Sequence, residues 1–162
     1  MRRVWVVAVM MAMLGLAGCT TAPEDGDDRP MVLTTFTVIA DIARNVAGDR
    51  LRVESITKIG AEIHGYEPTP QDVAHASDAA LILDNGLGLE AWFEQFVSET
   101  DVPHAVLTEH VEPIDIAADA YAGHPNPHAW MSPLNVIAYV EVMVAAFSDL
   151  DPEGADTFEA NA

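Results

Sequence analysis

Apolar and polar positions along this chain switch between two periods, and each switch marks an element. Residues 31–37, MVLTTFT, make a mostly apolar run behind Pro30, the pattern of a buried strand. In VIADIARNVAG the period lengthens: Ile39, Ile42, Ala43 and Val46 recur at helical spacing and Gly48 supplies a stop. LRVESITK returns to alternation, with Leu51, Val53, Ser55 and Thr57 sharing one side of a second strand. After the loop IGAEIHGYEPTPQD, Thr69 is placed as an N-cap, Pro70 as a first helical residue and Asp72 at the helix's positive end, so a short helix runs to about Ser77. ALILDNG is a third strand closed by an Asn85-Gly86 turn, and LEAWFEQFVSE is an amphipathic helix with Leu89, Trp92, Phe93 and Phe96 inward. HAVLTE makes a fourth strand. Ser132 then caps, and Pro133 opens, a last helix through VIAYVEVMVAAFSDL that stops near Asp151-Pro152.

Strands alternating with helices at these intervals predict an α/β fold, a four-stranded parallel sheet with helices on both faces. Such sheets collect ligands at the carboxyl ends of their strands. The loops leaving the second and fourth strands therefore carry the candidate chemistry.

The N-terminus changes the picture of the compartment. Arg2 and Arg3 precede an uncharged run from Val4 to Leu16, and LAGC ends at the chain's single cysteine, Cys19. The run is short for a membrane span and has the form of a signal peptide over residues 1–18. LAGC resembles the bacterial lipobox, which makes Cys19 the expected lipidation site and the membrane attachment a lipid anchor. Residues 19–30 lack apolar periodicity and read as a flexible tether. Residues 31–150 are then one domain, enough chain for a real core.

Charge limits the partners. The chain has 26 acidic residues against 7 Lys and Arg, a formal net charge of −19, and every Lys and Arg lies at or before Lys58. Nucleic acid is excluded as a partner. The acidic field does not by itself make a cation site, because a solubilising surface has the same composition.

The informative histidines stand in proline-stiffened loops. In GHPNPHAWMSP, residues 123–133, His124 and His128 are four apart, a spacing that on a helix would put both rings on one face. Pro125 and Pro127 remove the helix, since each fixes its φ, lacks an N–H and pushes its predecessor toward extended geometry. The strap instead holds His128 rigid before a capped helix. His64 lies in GAEIHGYEPTP, where Pro68 and Pro70 stiffen the exit. Two neutral imidazoles at the same end of the sheet provide half of a four-ligand site suited to manganese, ferrous iron or zinc. Glu62, Glu67 and Asp72 are nearby, but Glu67 and Asp72 also suit the following helix N-terminus, and no third ligand has comparable placement. His75, His104 and His110 read as solvated or capping residues.

Three stretches in order, GAEIHGYEPTPQD, DNGLGLEAWFEQF and NPHAWMSPLN, resemble the solute-binding lipoproteins of manganese, iron and zinc ABC transporters, most closely the manganese/iron type. The resemblance covers residues 31–162. It implies a two-lobed protein joined by a long helix, with the metal held between two histidines of the first lobe and two ligands, usually Glu and Asp, of the second. His64 matches the first family histidine and His128 the second. The chain then corresponds to the N-terminal lobe, with residues 151–162 at the start of the linking helix. Many zinc members carry a His-rich acidic loop before the second ligand; EHVEPIDIAADAYAGHPNPH has acids but no histidine cluster, which favours Mn2+ or Fe2+ over Zn2+ as the bound ion.

The expectation is a non-enzymatic, monomeric lipoprotein on the outer side of the cytoplasmic membrane that passes a divalent cation to an ABC transporter permease. His124 and Glu67 are candidate groups around the metal rather than on it. Trp130 and Tyr66 are expected to pack strap and loop onto the lobe. The competing readings are a small metal-dependent hydrolase, with Glu62 or Glu67 as its base, and a metal-binding adhesin.

Overall fold

The computed structural model describes residues 27–97 and 100–162. The expected signal segment, Cys19 and the tether as far as residue 26 lie outside the described residues, as does the side chain of Phe96. Among the described residues four short strands form one parallel sheet: β1 (Met31–Thr34), β2 (Arg52–Ser55), β3 (Leu81–Asp84) and β4 (His104–Val106). Five α-helices among the described residues accompany them: α1 (Thr37–Ala47), α2 (Pro70–Ser77), α3 (Ala91–Val97), α4 (Pro133–Leu150) and α5 (Ala155–Asn161). The strand order is β2-β1-β3-β4. The chain thus moves one way from β1 to β2 and the other way through β3 and β4. Crossovers of one hand must then place α1 on one face and α2 and α3 on the other.

Alternation along each strand feeds the two faces. Val32, Val53, Leu81 and Leu83 face a core closed by Ile39 and Ala43 of α1, Tyr139, Met143 and Phe147 of α4, and Phe158 of α5. Met31, Leu33 and Ile82 point the other way, onto Ala76 and Phe93. Helix α4 is long and apolar enough by length and composition to cross a membrane. One face of it, Tyr139, Met143 and Phe147, is fully buried, while Leu134 and Ile137 are exposed.

The predicted elements form, but the strands are shorter than the runs that announced them: β1 stops at Thr34 and Thr37 already belongs to α1, and β4 stops at Val106. Thr69 caps α2 with a complete capping box: its side chain accepts from the Asp72 N–H at 3.2 Å, while the Asp72 carboxylate accepts from the Thr69 N–H at 2.7 Å. Ser132 occupies the N-cap of α4 but makes no side-chain capping bond. There Asn135 Nδ2 reaches back to the Ala129 carbonyl at 3.1 Å. The core also continues past the boundary expected at residue 150. Phe158 is buried with its ring centroid 5.6 Å from that of Phe147, Asn161 Nδ2 donates to the Val46 carbonyl at 3.1 Å, and Arg50 pairs with Asp151 at 2.7 Å.

Candidate metal centre

Strands β2 and β4 lie at opposite margins of the sheet, yet the loops leaving them meet above its middle. His64 Nε2 and His128 Nε2 are 3.2 Å apart, with ring centroids 5.2 Å apart and the rings edge to face. Two nitrogens each about 2.0–2.1 Å from one ion would stand about 2.9 Å apart at a right angle and about 3.4 Å apart at a tetrahedral one. The observed separation lies between these values. The spacing of the two nitrogens is thus that of two ligands on one cation.

Hydrogen bonding fixes the tautomer of His128. The Asn126 Oδ1 accepts from the His128 backbone N–H at 3.1 Å, so that side-chain atom is the oxygen. His128 Nδ1 lies 2.8 Å from the same oxygen and must carry the ring proton. The lone pair is left on Nε2, facing His64, as metal-binding histidines are commonly prepared by a partner on their other nitrogen. The His128 ring also lies 5.3 Å from Trp130, which tilts against buried Phe36 at 4.8 Å.

The His64 loop is held from two sides. Both Glu62 oxygens are used on backbone N–H groups, Oε1 from His64 at 2.9 Å and Oε2 from Gly65 at 2.7 Å. These bonds, Gly65 first, hold the Glu62 carboxyl below the usual range. Trp92 Nε1 donates to the Ile63 carbonyl at 2.9 Å, and Tyr66 packs on Trp92 with ring centroids 5.0 Å apart. Tyr66 and Trp130 thus do the packing expected of them. Glu62 binds its own loop and does not aim a free oxygen between the histidines.

The histidine pair borders an open cleft of about 760 Å³ that His124 and Tyr121 also line. Glu67 is exposed on the His64 loop. Among the described residues, no group of three or more His, Cys, Asp or Glu side chains is arranged to hold a metal ion. What the lobe presents is a pair of imidazoles open on one side.

Beneath the pair lies a buried polar network that the periodicity does not reveal. Glu90, at 4% exposure, accepts from Thr35 Oγ1 at 2.7 Å and the Asn85 N–H at 2.8 Å with Oε1, and from the Gly86 N–H at 3.3 Å with Oε2. Burial raises its pKa against the opposing pull of these bonds. Gly86 has φ +82°, and a Cβ there would lie 2.5 Å from Val106 Cγ1 and 2.7 Å from Thr108 Oγ1. Only the Asn85-Gly86 turn was legible in advance; the acid five residues after Asn85 reads in sequence as an ordinary helix-start residue.

The profile of the family described as "Zinc-uptake complex component A periplasmic" matches residues 32–162. The chain belongs to this family. Among the relatives of this zinc-uptake component family, the iron-binding protein YfeA of Yersinia pestis is 52% identical over 141 residues, covering 86% of this chain and 45% of that protein. The manganese ABC transporter substrate-binding lipoprotein PsaA of Streptococcus pneumoniae is 35% identical, covering 96% and 54%. A manganese-bound periplasmic metal-binding protein from Candidatus Liberibacter asiaticus superposes with a TM-score of 0.75 at 34% identity, covering 82% of this chain and 50% of that one. The chain spans about half the length of these relatives.

Proposed function

We propose that this chain is the cation-capturing lobe of an ABC importer's solute-binding lipoprotein. The observation that carries the reading is the His64–His128 pair: two imidazoles from distant loops, 3.2 Å apart at Nε2, with the His128 proton held on the far nitrogen. The cation is Mn2+ or Fe2+, with Zn2+ as an alternative occupant. Relatives named as iron-binding and manganese transporter lipoproteins favour the first two, and the zinc-uptake family description keeps the third. Nitrogen ligands alone would favour Zn2+ over Mn2+, so the selectivity lies in the remaining ligands and their geometry. Those ligands come from a second lobe. His124, which lines the same cleft, borders the ion without binding it.

The protein acts outside the cytoplasmic membrane as a monomer, tethered through lipidated Cys19, and delivers its cargo to the permease. It is not an enzyme. A hydrolase would need a third ligand and a base facing the metal, whereas Glu62 is occupied on backbone N–H groups.

In the source cell, deletion of the gene should lower uptake of radiolabelled manganese or iron, and re-expression should restore it. The His64→Ala and His128→Ala forms should not restore it, and Cys19→Ala should release the protein from the membrane fraction. Unchanged uptake after deletion, or full rescue by both histidine variants, would overturn the reading.

A further inference from the structure

We infer that Asn85 is a positioning residue for His128: its buried carboxamide grips the proline strap by the Pro127 carbonyl and so keeps the ring's Nε2 turned toward His64. The inference rests on the metal-capture reading and adds to it the residue that sets the ligand's orientation.

Asn85 directly follows β3, one of the two central strands, and is fully buried. Its Nδ2 donates to the Pro127 carbonyl at 2.9 Å and to the Gly86 carbonyl at 3.0 Å, and its Oδ1 accepts from the Tyr139 hydroxyl of α4. Its backbone is held as well. The N–H goes to Glu90, and the carbonyl accepts from Thr108 N at 3.2 Å and Thr108 Oγ1 at 2.6 Å. Every hydrogen-bonding group of the residue shown here has a partner. The two carbonyls that take its protons have none to give, so the amide can point only one way.

The strap needs such a grip. Pro125 and Pro127 have no N–H with which to join a ladder. The strap's first half is still paired antiparallel with residues 114–116, through the Ile116 N–H to the His124 carbonyl at 2.9 Å and the Asn126 N–H to the Ile114 carbonyl at 2.8 Å; beyond that pairing, at Pro127, one residue before His128, Asn85 supplies the hold. Tyr139 keeps the grip oriented. Burial, and then the Glu90 charge, push its phenol above the usual range, so it stays a donor to Oδ1. A continuous polar path therefore runs from Thr35 through Glu90, Asn85 and Pro127 to the ligand.

Asn85→Asp separates positioning from packing, because its shape is retained while the donor to Pro127 is lost and a charge is placed beside Glu90. The readouts are the histidine ring 15N resonances of the metal-free chain, Zn2+ affinity by calorimetry, and thermal unfolding. Wild type should show His128 as the Nδ1–H tautomer. In Asn85→Asp that tautomer should give way to a mixture, and Zn2+ binding should weaken about tenfold. Tyr139→Phe, which leaves the Pro127 bond but frees Oδ1, should weaken binding in the same direction by less, and decides the matter if the Asp form does not fold. A folded Asn85→Asp form, or failing that Tyr139→Phe, with wild-type tautomer and wild-type Zn2+ affinity would overturn the inference. If wild type shows no His64-dependent Zn2+ binding, the capture reading fails, while a shift of the ring tautomer still reports positioning.

Discussion

Glu90 shows how a single residue can be adverse in one respect and necessary in another. It is buried where charge is disfavoured, and its pKa is raised by that burial, yet three donors converge on its oxygens. Replacing it with Gln puts an N–H group against the Gly86 N–H and should cost about 1–3 kcal/mol by thermal unfolding. The pH dependence has a definite sign. A carboxyl whose folded pKa is raised contributes stability that is full below its unfolded value of about 4.3 and is lost as pH rises through the folded value. The deficit of Glu90→Gln relative to wild type should therefore be largest near pH 4 and smaller at pH 7. At the neighbouring Gly86, where both φ and space exclude a side chain, Gly86→Ala should cost more than about 1 kcal/mol.

At the scale of elements, the capping box of α2 and the burial of α5 give two further expectations. Thr69→Ala should lower stability by about 1 kcal/mol. Burial opposes ionisation of Asp72, but bonds from the Thr69 N–H and hydroxyl and from the Tyr66 hydroxyl outweigh it and lower the pKa. That stabilisation is present above the unfolded value near 3.9 and is lost as pH falls through the folded one, so Asp72→Asn should matter at pH 7 and much less at pH 2 in circular-dichroism melts. Phe158→Ala should cost about 3–5 kcal/mol, because its ring is fully buried against Phe147. Periodicity, proline and cap signals found all four strands and the first four helices, because each rests on local chemistry. They did not place Phe158 in the core, since α5 is too short to show a period. Nor did they show that Ser132 would leave its capping bond unmade, because that bond depends on how the strap before it is folded.

At the scale of the molecule, the reversal of strand order at β1 brings the site together. Sequence located His64 and His128 in loops at the carboxyl end of the sheet but could not show that β2 and β4 are its opposite margins, or that the loops lean inward until the rings touch. The Asn85, Glu90 and Tyr139 network stayed hidden for the same reason: its members are distant in sequence and ordinary in type. Whether both rings share one ion is measured by a double-mutant cycle in Zn2+ affinity on the purified chain, using His64→Ala, His128→Ala and the pair. If both rings hold one ion, binding should be one to one and no tighter than about micromolar, a binding free energy of about −8 kcal/mol. Each single variant should then abolish most of it, and the double variant should lose little more than either single one. Additive losses, or affinity that survives both substitutions, would contradict a shared site.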